Sequence, residues 1–351
     1  MRTLFCLGLF LCLLINAIFA EEKREYSQPY IVLATVRTNT IKKQLTEAAA
    51  QGYHVVAGDA ANNILVLEKG QASDLSDYLY FDNLFRGMKE AAAQGYRLLP
   101  KTLGTAKYSP IGAVMEKVSG NVHYEYKILD TIRTSSFQKD LSQAAAEGWQ
   151  LVGLQSEDLH YGVLERPTGE APPTERRSDR YLLLATKRPS TMQKELDDAA
   201  ARGYRVAAAT AAEEMIIVLE RPGAITPTEG ARYEYQVLSM ARSGTLEKEI
   251  NVGVARGFHV LPNTLSLFKK KGGLFSLPTS DELALIIEKD PKSAKAYEYR
   301  LLGTRRVGTL ERELNETIRQ GFKVAGMMLS HQEQLILMER QSVNSTDGPP
   351  K

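Results

Sequence analysis

Cysteine is nearly missing from this chain: only Cys6 and Cys12 are present among 351 residues, and both lie in a leading apolar segment. The rest therefore carries no thiol, which excludes a disulfide, a thiol nucleophile or a cysteine metal site from it. Charge of one sign is also lacking, with 44 Lys and Arg against 42 Asp and Glu for a net of +2. Nucleic acid is not expected as a partner, and any cationic site must be local. The five histidines, His54, His123, His160, His259 and His331, stand singly with no HxxxH or HExxH spacing, so no metal site is expected. There is no P-loop, no GxGxxG after a strand and no GxSxG, and no cofactor or catalytic residue is assigned. A long apolar run occurs only at 4–15, after Arg2 and before Ala20 and a charged stretch. It reads as a signal peptide over 1–20 cleaved after Ala20, an uncleaved anchor being the alternative, and makes an exported, periplasmic or extracellular protein the expectation.

What the chain has instead is repetition. In 124–153, YEYKILDTIRTSSFQKDLSQAAAEGWQLVG, an alternating Tyr124–Tyr126–Ile128 strand leads to Ser136 as a helix cap. Phe137, Leu141, Ala144 and Ala145 then fall at i, i+4, i+7 and i+8, and Gly148 closes the helix. Two more strands complete a β-α-β-β unit. The glycine-aromatic exit recurs at Gly52, Gly95, Gly148, Gly203, Gly257 and Gly321, each followed by Tyr, Trp or Phe. Every unit closes on glutamate and a base, from Glu68-Lys69 to Glu339-Arg340, so six degenerate copies are present. The second copy is irregular: either 78–81 runs straight into its helix, or its first strand is missing.

A higher order is visible as well. The first and fourth copies share a YIVLATVR-like strand, the second and fifth an LP-x-T corner, and the third and sixth a Tyr-Glu-Tyr strand. A block of three units is thus duplicated. The fold class expected is α+β, with mainly antiparallel sheets and helices on one face. Two three-repeat domains, 26–166 and 179–340, are separated by a proline-rich linker at 167–178 and followed by a disordered tail at 341–351. Tyrosines and Trp149 read as packing residues in preference to a carbohydrate-stacking platform.

The Tyr-Glu-Tyr strands at Tyr124, Tyr233 and Tyr297 and the A-E-G-W-Q-L-V exit at 146–152 resemble a small bacterial family described only as a domain of unknown function. Its members carry a YEYK-type strand and an EGWELV-type helix exit. The resemblance implies a compact α+β unit and a bacterial source, and it transfers no catalytic residues.

Two candidate sites remain. The third residue after each expected cap is basic, and in five copies an arginine stands three residues before that cap. This gives the pairs Arg37 and Lys43, Arg133 and Lys139, Arg188 and Lys194, Arg242 and Lys248, and Arg306 and Arg312. Cations where the helix dipole favours an acid suggest a repeated anion site, or else ion pairs to the closing glutamates such as Glu165 and Glu220. The second candidate is a basic hairpin at 267–277, with Lys269, Lys270 and Lys271 at its tip and Phe268 and Phe275 facing across it. The function expected is a non-enzymatic binding or structural module of the cell envelope. Its partner would be an envelope protein, an acidic polymer or an anionic membrane surface. The alternative is an envelope hydrolase with a site between repeats.

Overall fold

The computed structural model describes residues 25–71, 75–106, 110–120, 123–168, 177–221, 233–269, 281–293, 296–330 and 333–342. The expected signal segment and nearly all of the expected tail lie outside them. Among these residues are six α-helices and nineteen strands, forming six antiparallel sheets. No helix among them is long and apolar enough to cross a membrane.

In chain order, the first unit is β1 (Tyr30–Ala34), α1 (Thr38–Ala49), β2 (Tyr53–Asp59) and β3 (Ile64–Lys69). The second is β4 (Tyr78–Phe81), α2 (Met88–Ala93), β5 (Tyr96–Gly104) and β6 (Gly112–Lys117). Its first strand is thus present and its helix is short. The third is β7 (Tyr124–Thr131), α3 (Thr134–Ala146), β8 (Gln150–Ser156) and β9 (His160–Pro167). The fourth is β10 (Tyr181–Thr186), α4 (Pro189–Ala201), β11 (Arg205–Ala211) and β12 (Met215–Glu220). The fifth is β13 (Glu234–Met240), α5 (Ser243–Ala255), a second strand split into β14 (His259–Val260) and β15 (Ser266–Phe268), and β16 (Glu282–Lys289). The sixth is β17 (Tyr297–Thr304), α6 (Val307–Ile318), β18 (Lys323–Leu329) and β19 (Gln334–Gln341).

In every sheet the last strand of the unit lies between the first and the second. That central strand is covered on both faces, which is why it is apolar at successive positions instead of alternate ones. On β3, Leu65 and Leu67 pack with Ile41 and Leu45 of α1, whereas Ile64 and Val66 pack with Leu310 and Leu314 of α6. On β12, Ile217 and Leu219 join α4, and Ile216 and Val218 join Phe137 and Leu141 of α3. Each sheet therefore has its own helix on one face and the preceding unit's helix on the other. Layers of helix and sheet alternate until α6 meets β1 and the ring of six units closes.

The core does not stop between the halves expected as two domains. One cluster unites Trp149 and Leu154 of the third unit with Tyr181 and Ile216 of the fourth, and another unites the sixth unit with the first. The duplicated corner is visible in detail. Thr102 Oγ1 donates to the Leu99 carbonyl at 2.7 Å and accepts the Val114 N–H at 2.8 Å, and Thr264 does the same with Leu261 and Ile286 at 2.7 and 2.9 Å.

Helix ends explain the six landmarks. Each exit glycine adopts φ between +79° (Gly52) and +90° (Gly148), the left-handed conformation that a side chain disfavours. The closing base of the same unit lies over the aromatic ring that follows: Lys69 over Tyr53, Lys117 over Tyr96, Arg166 over Trp149, Arg221 over Tyr204, Lys289 over Phe258 and Arg340 over Phe322. In five units it also donates to a carbonyl at the helix C-terminus, as Arg166 does to Glu147 at 3.2 Å. A cation there complements the negative end of the helix.

Candidate binding groove

The seams of the ring are held by side chains that reach from one unit into the next. Tyr126 accepts the Leu98 N–H of the preceding unit at 2.9 Å and donates to its own closing Glu165 at 3.0 Å. Tyr78, Tyr181, Tyr235 and Tyr299 accept the N–H of Val55, Leu151, Val206 and Val260 in the same way. Burial raises the pKa of these phenols, to about 12 for Tyr78, so each remains a neutral hydroxyl able to donate and accept at once. The tyrosines are the packing residues expected, and they bond as well.

Two seams add a buried carboxylate. Glu288 is wholly buried and receives Arg205 of the fourth unit at 2.6 and 3.2 Å, together with Tyr235 at 2.7 Å. Glu165 receives Arg97 of the second unit at 2.6 and 3.3 Å. Both arginines stack on the first tyrosine of the Tyr-x-Tyr pair, Arg205 on Tyr233 and Arg97 on Tyr124, each at 4.2 Å.

A third contact seals the free edge of the first strand. Gln138 on α3 donates to the Tyr181 carbonyl at 3.1 Å and accepts the Leu183 N–H at 2.6 Å. Gln193 on α4 does so with Tyr235 and Val237 at 2.9 and 2.8 Å. On α5 the two roles are split, Asn251 donating to the Tyr299 carbonyl at 3.4 Å and Glu247 accepting the Leu301 N–H at 2.8 Å. On α6, Asn315 bonds both the N–H and the carbonyl of Tyr30, and Glu311 accepts the Val32 N–H at 2.9 Å. These side chains supply what another strand would supply, so four exposed edges become satisfied seams.

The seam between the first and second units departs from this. Counted back from the exit glycine, Lys42 stands on α1 where Gln138, Gln193, Glu247 and Glu311 stand on their helices, and Thr46 stands where Asn251 and Asn315 stand. An ammonium has no acceptor to offer an N–H. The strand it faces, β4, pairs Tyr78 with Glu116 and Tyr80 with Val114 in the register that β10 uses for Tyr181 and Leu183. The Lys117 N–H bonds the Asp77 carbonyl, so the alternate residues Tyr78 and Tyr80 turn their N–H and carbonyl groups away from β6, toward α1. Between them lies a groove of about 480 Å³ lined by Lys42, Leu45, Thr46, Tyr78, Tyr80 and Arg86, with Asp82 and Asn83 at its end.

The expected sites fare differently. Arg37, Arg133, Arg188, Arg242 and Arg306 are themselves the extended residues capping α1, α3, α4, α5 and α6. These helices begin three residues earlier than Ser136 and its equivalents suggest. Lys43, Lys139, Lys194, Lys248 and Arg312 therefore sit in the second helical turn, beyond the reach of the positive helix end, and the expected dipole penalty is absent. All ten cations are exposed. Lys43 and Arg312 lie 3.9 Å from Glu47 and Glu316 on their own helices. The ion pairs expected to the closing glutamates do not form: Glu165, Glu220, Glu288 and Glu339 pair with Arg97, Arg180, Arg205 and Lys323. Arg242 borders a groove that Glu333 also lines.

In the expected hairpin, Phe268 is a core residue of the fourth and fifth units and does not face across a hairpin, because β15 carries it inward. Lys269 forms an ion pair with Glu157 of the third unit. Lys270, Lys271 and Phe275 lie outside the described residues.

Among the histidines, His160 Nδ1 is 2.9 Å from Ser156 Oγ, and Nε2 is 3.6 Å from Glu214. Burial lowers the His160 pKa, which favours the neutral ring. Ser156 is itself buried, so the trio resembles a turn lock more than an accessible nucleophile. Among the described residues no cluster of His, Cys, Asp and Glu could hold a metal ion. No family model matches the sequence, and no curated protein or solved structure matches it.

Proposed function

We propose that the protein is an exported binding module of the cell envelope, in which a closed ring of six units presents the α1–β4 groove to a partner. The observation that carries this reading is the unequal treatment of the seams: four first strands have their edges bonded by amide and carboxylate side chains, β7 beside the short α2 has no such bond among the described residues, and β4 meets Lys42 across a groove. A strand edge left open on a folded protein is a pairing site unless something blunts it. Export rests on the apolar segment at 4–15 alone.

The test is photo-crosslinking in cells from an unnatural amino acid at Thr46, with the same label at Ser142 on α3 as the control. A discrete adduct from Thr46 alone supports the groove as the binding face. Equal adducts from both positions, or none, contradict it.

The alternative of a hydrolase centres on Ser156, His160 and Glu214. Labelling by a fluorophosphonate that disappears on Ser156→Ala would establish it.

A further inference from the structure

From the chemistry of the sealed seams we infer that the α1–β4 groove takes an extended acidic peptide, which adds a strand to β4 and sets a carboxylate side chain between Lys42 and Arg86. The inference rests on the groove being the binding face, and it assigns the class of occupant.

The molecule itself supplies the pattern. In the four sealed seams, the N–H two residues beyond the first-strand tyrosine is met by a side-chain oxygen, and at two of them, Val32 and Leu301, that oxygen belongs to a carboxylate. At β4 the equivalent N–H belongs to Tyr80, and the helix offers Lys42 in place of the acceptor. An occupant must therefore bring its own acceptor. A paired peptide backbone does so along Tyr78 and Tyr80, as β-strand addition requires.

Charge selects among peptides. Lys42 and Arg86 line the groove and form no ion pair among the described residues, against a single acid, Asp82. A carboxylate on the added strand would receive charge-assisted bonds from both cations, whereas a basic peptide would meet like charge. The β4 edge is four residues long, so the recognised motif is short.

The experiment uses fluorescence anisotropy with the purified protein lacking 1–20 and three labelled peptides: acetyl-Thr-Val-Glu-Val-Thr-amide and its Gln and Lys counterparts. The expected result is saturable binding of the Glu peptide, at least about tenfold weaker binding of the Lys peptide, and intermediate binding of the Gln peptide. Lys42→Gln, which restores the side chain of the sealed seams, should abolish binding without loss of thermal stability. Lys42→Glu should reverse the peptide preference. Free acetate at equal carboxylate concentration should fail to compete, since it lacks the strand. Equal binding of Glu and Lys peptides, competition by acetate, or no binding at all overturns the inference. Should Thr46 crosslink a partner while the Glu peptide fails, the groove stands as the binding face and only the assigned chemistry falls.

Discussion

Lys42 stands on α1 where Gln193 stands on α4, and the two residues leave the following strand in opposite states. Gln193 bonds the carbonyl of Tyr235 and the N–H of Val237, closing the edge of β13. Lys42 lines an open groove beside β4. At these two seams the same helix position thus separates a strand edge bonded into the fold from one that borders an open groove.

Gln193→Ala should destabilise the protein by about 1 to 3 kcal/mol, because it strips partners from two half-buried backbone groups. Lys42→Ala should change stability by less than about 0.5 kcal/mol, as expected of an exposed side chain. Chemical denaturation of the two variants checks the contrast.

The buried Glu288 carries more. Replacing it with Gln leaves Arg205 facing a neutral group in a seam where Tyr235 and His259 also converge. A loss of about 2 to 4 kcal/mol is expected. Glu116→Gln, at the equivalent and less buried position of the second unit, should cost less, as urea midpoints at constant slope would show.

Arg166→Ala removes both the cation over Trp149 and the bond to the Glu147 carbonyl. About 1 kcal/mol of stability should be lost, together with a change in tryptophan emission, since Trp149 is the only tryptophan. Arg166→Lys should recover part of the stability.

Asp59 gives a pH dependence. Burial raises its pKa from 3.8 to about 6, against the bonds from Asn62, and its carboxylate lies where a Cβ at Gly104 would stand. The folded protein then holds this proton more tightly than the unfolded chain. Its contribution is fully present below about pH 4 and is lost as pH rises through 6. Asp59→Asn should match the parent near pH 4 and exceed it by about 1 to 3 kcal/mol at pH 7, as paired melting curves would report.

The units were legible in the sequence because their landmarks touch one another. The exit glycine fixes the helix end, the aromatic residue follows it, and the closing base returns across the sheet to cover both. Helix starts were less legible. Ser136 has the chemistry of a cap, yet Arg133 holds the extended conformation with no side-chain bond, and the apolar stripe from Phe137 does not disclose the turn before it. Ring closure left almost no local trace: β3 is apolar at successive positions whether the second covering helix belongs to its own half or to the far end of the chain. The groove was hidden for a related reason. Lys42 is an ordinary exposed lysine until its position is aligned with Gln138, Gln193, Glu247 and Glu311 and each is seen to face the next unit.

The measurement that bears most directly on the ring and its open α1–β4 seam is residue-resolved amide hydrogen exchange. The Tyr30 and Val32 amides, bonded by Asn315 and Glu311 from the other end of the chain, should be protected as strongly as Leu183, Val237 and Leu301, while Tyr78 and Tyr80 exchange at least about a hundredfold faster. Fast exchange at Tyr30 and Val32, or protection at Tyr78 and Tyr80 equal to theirs, would contradict the closed ring in the first case and the open edge in the second.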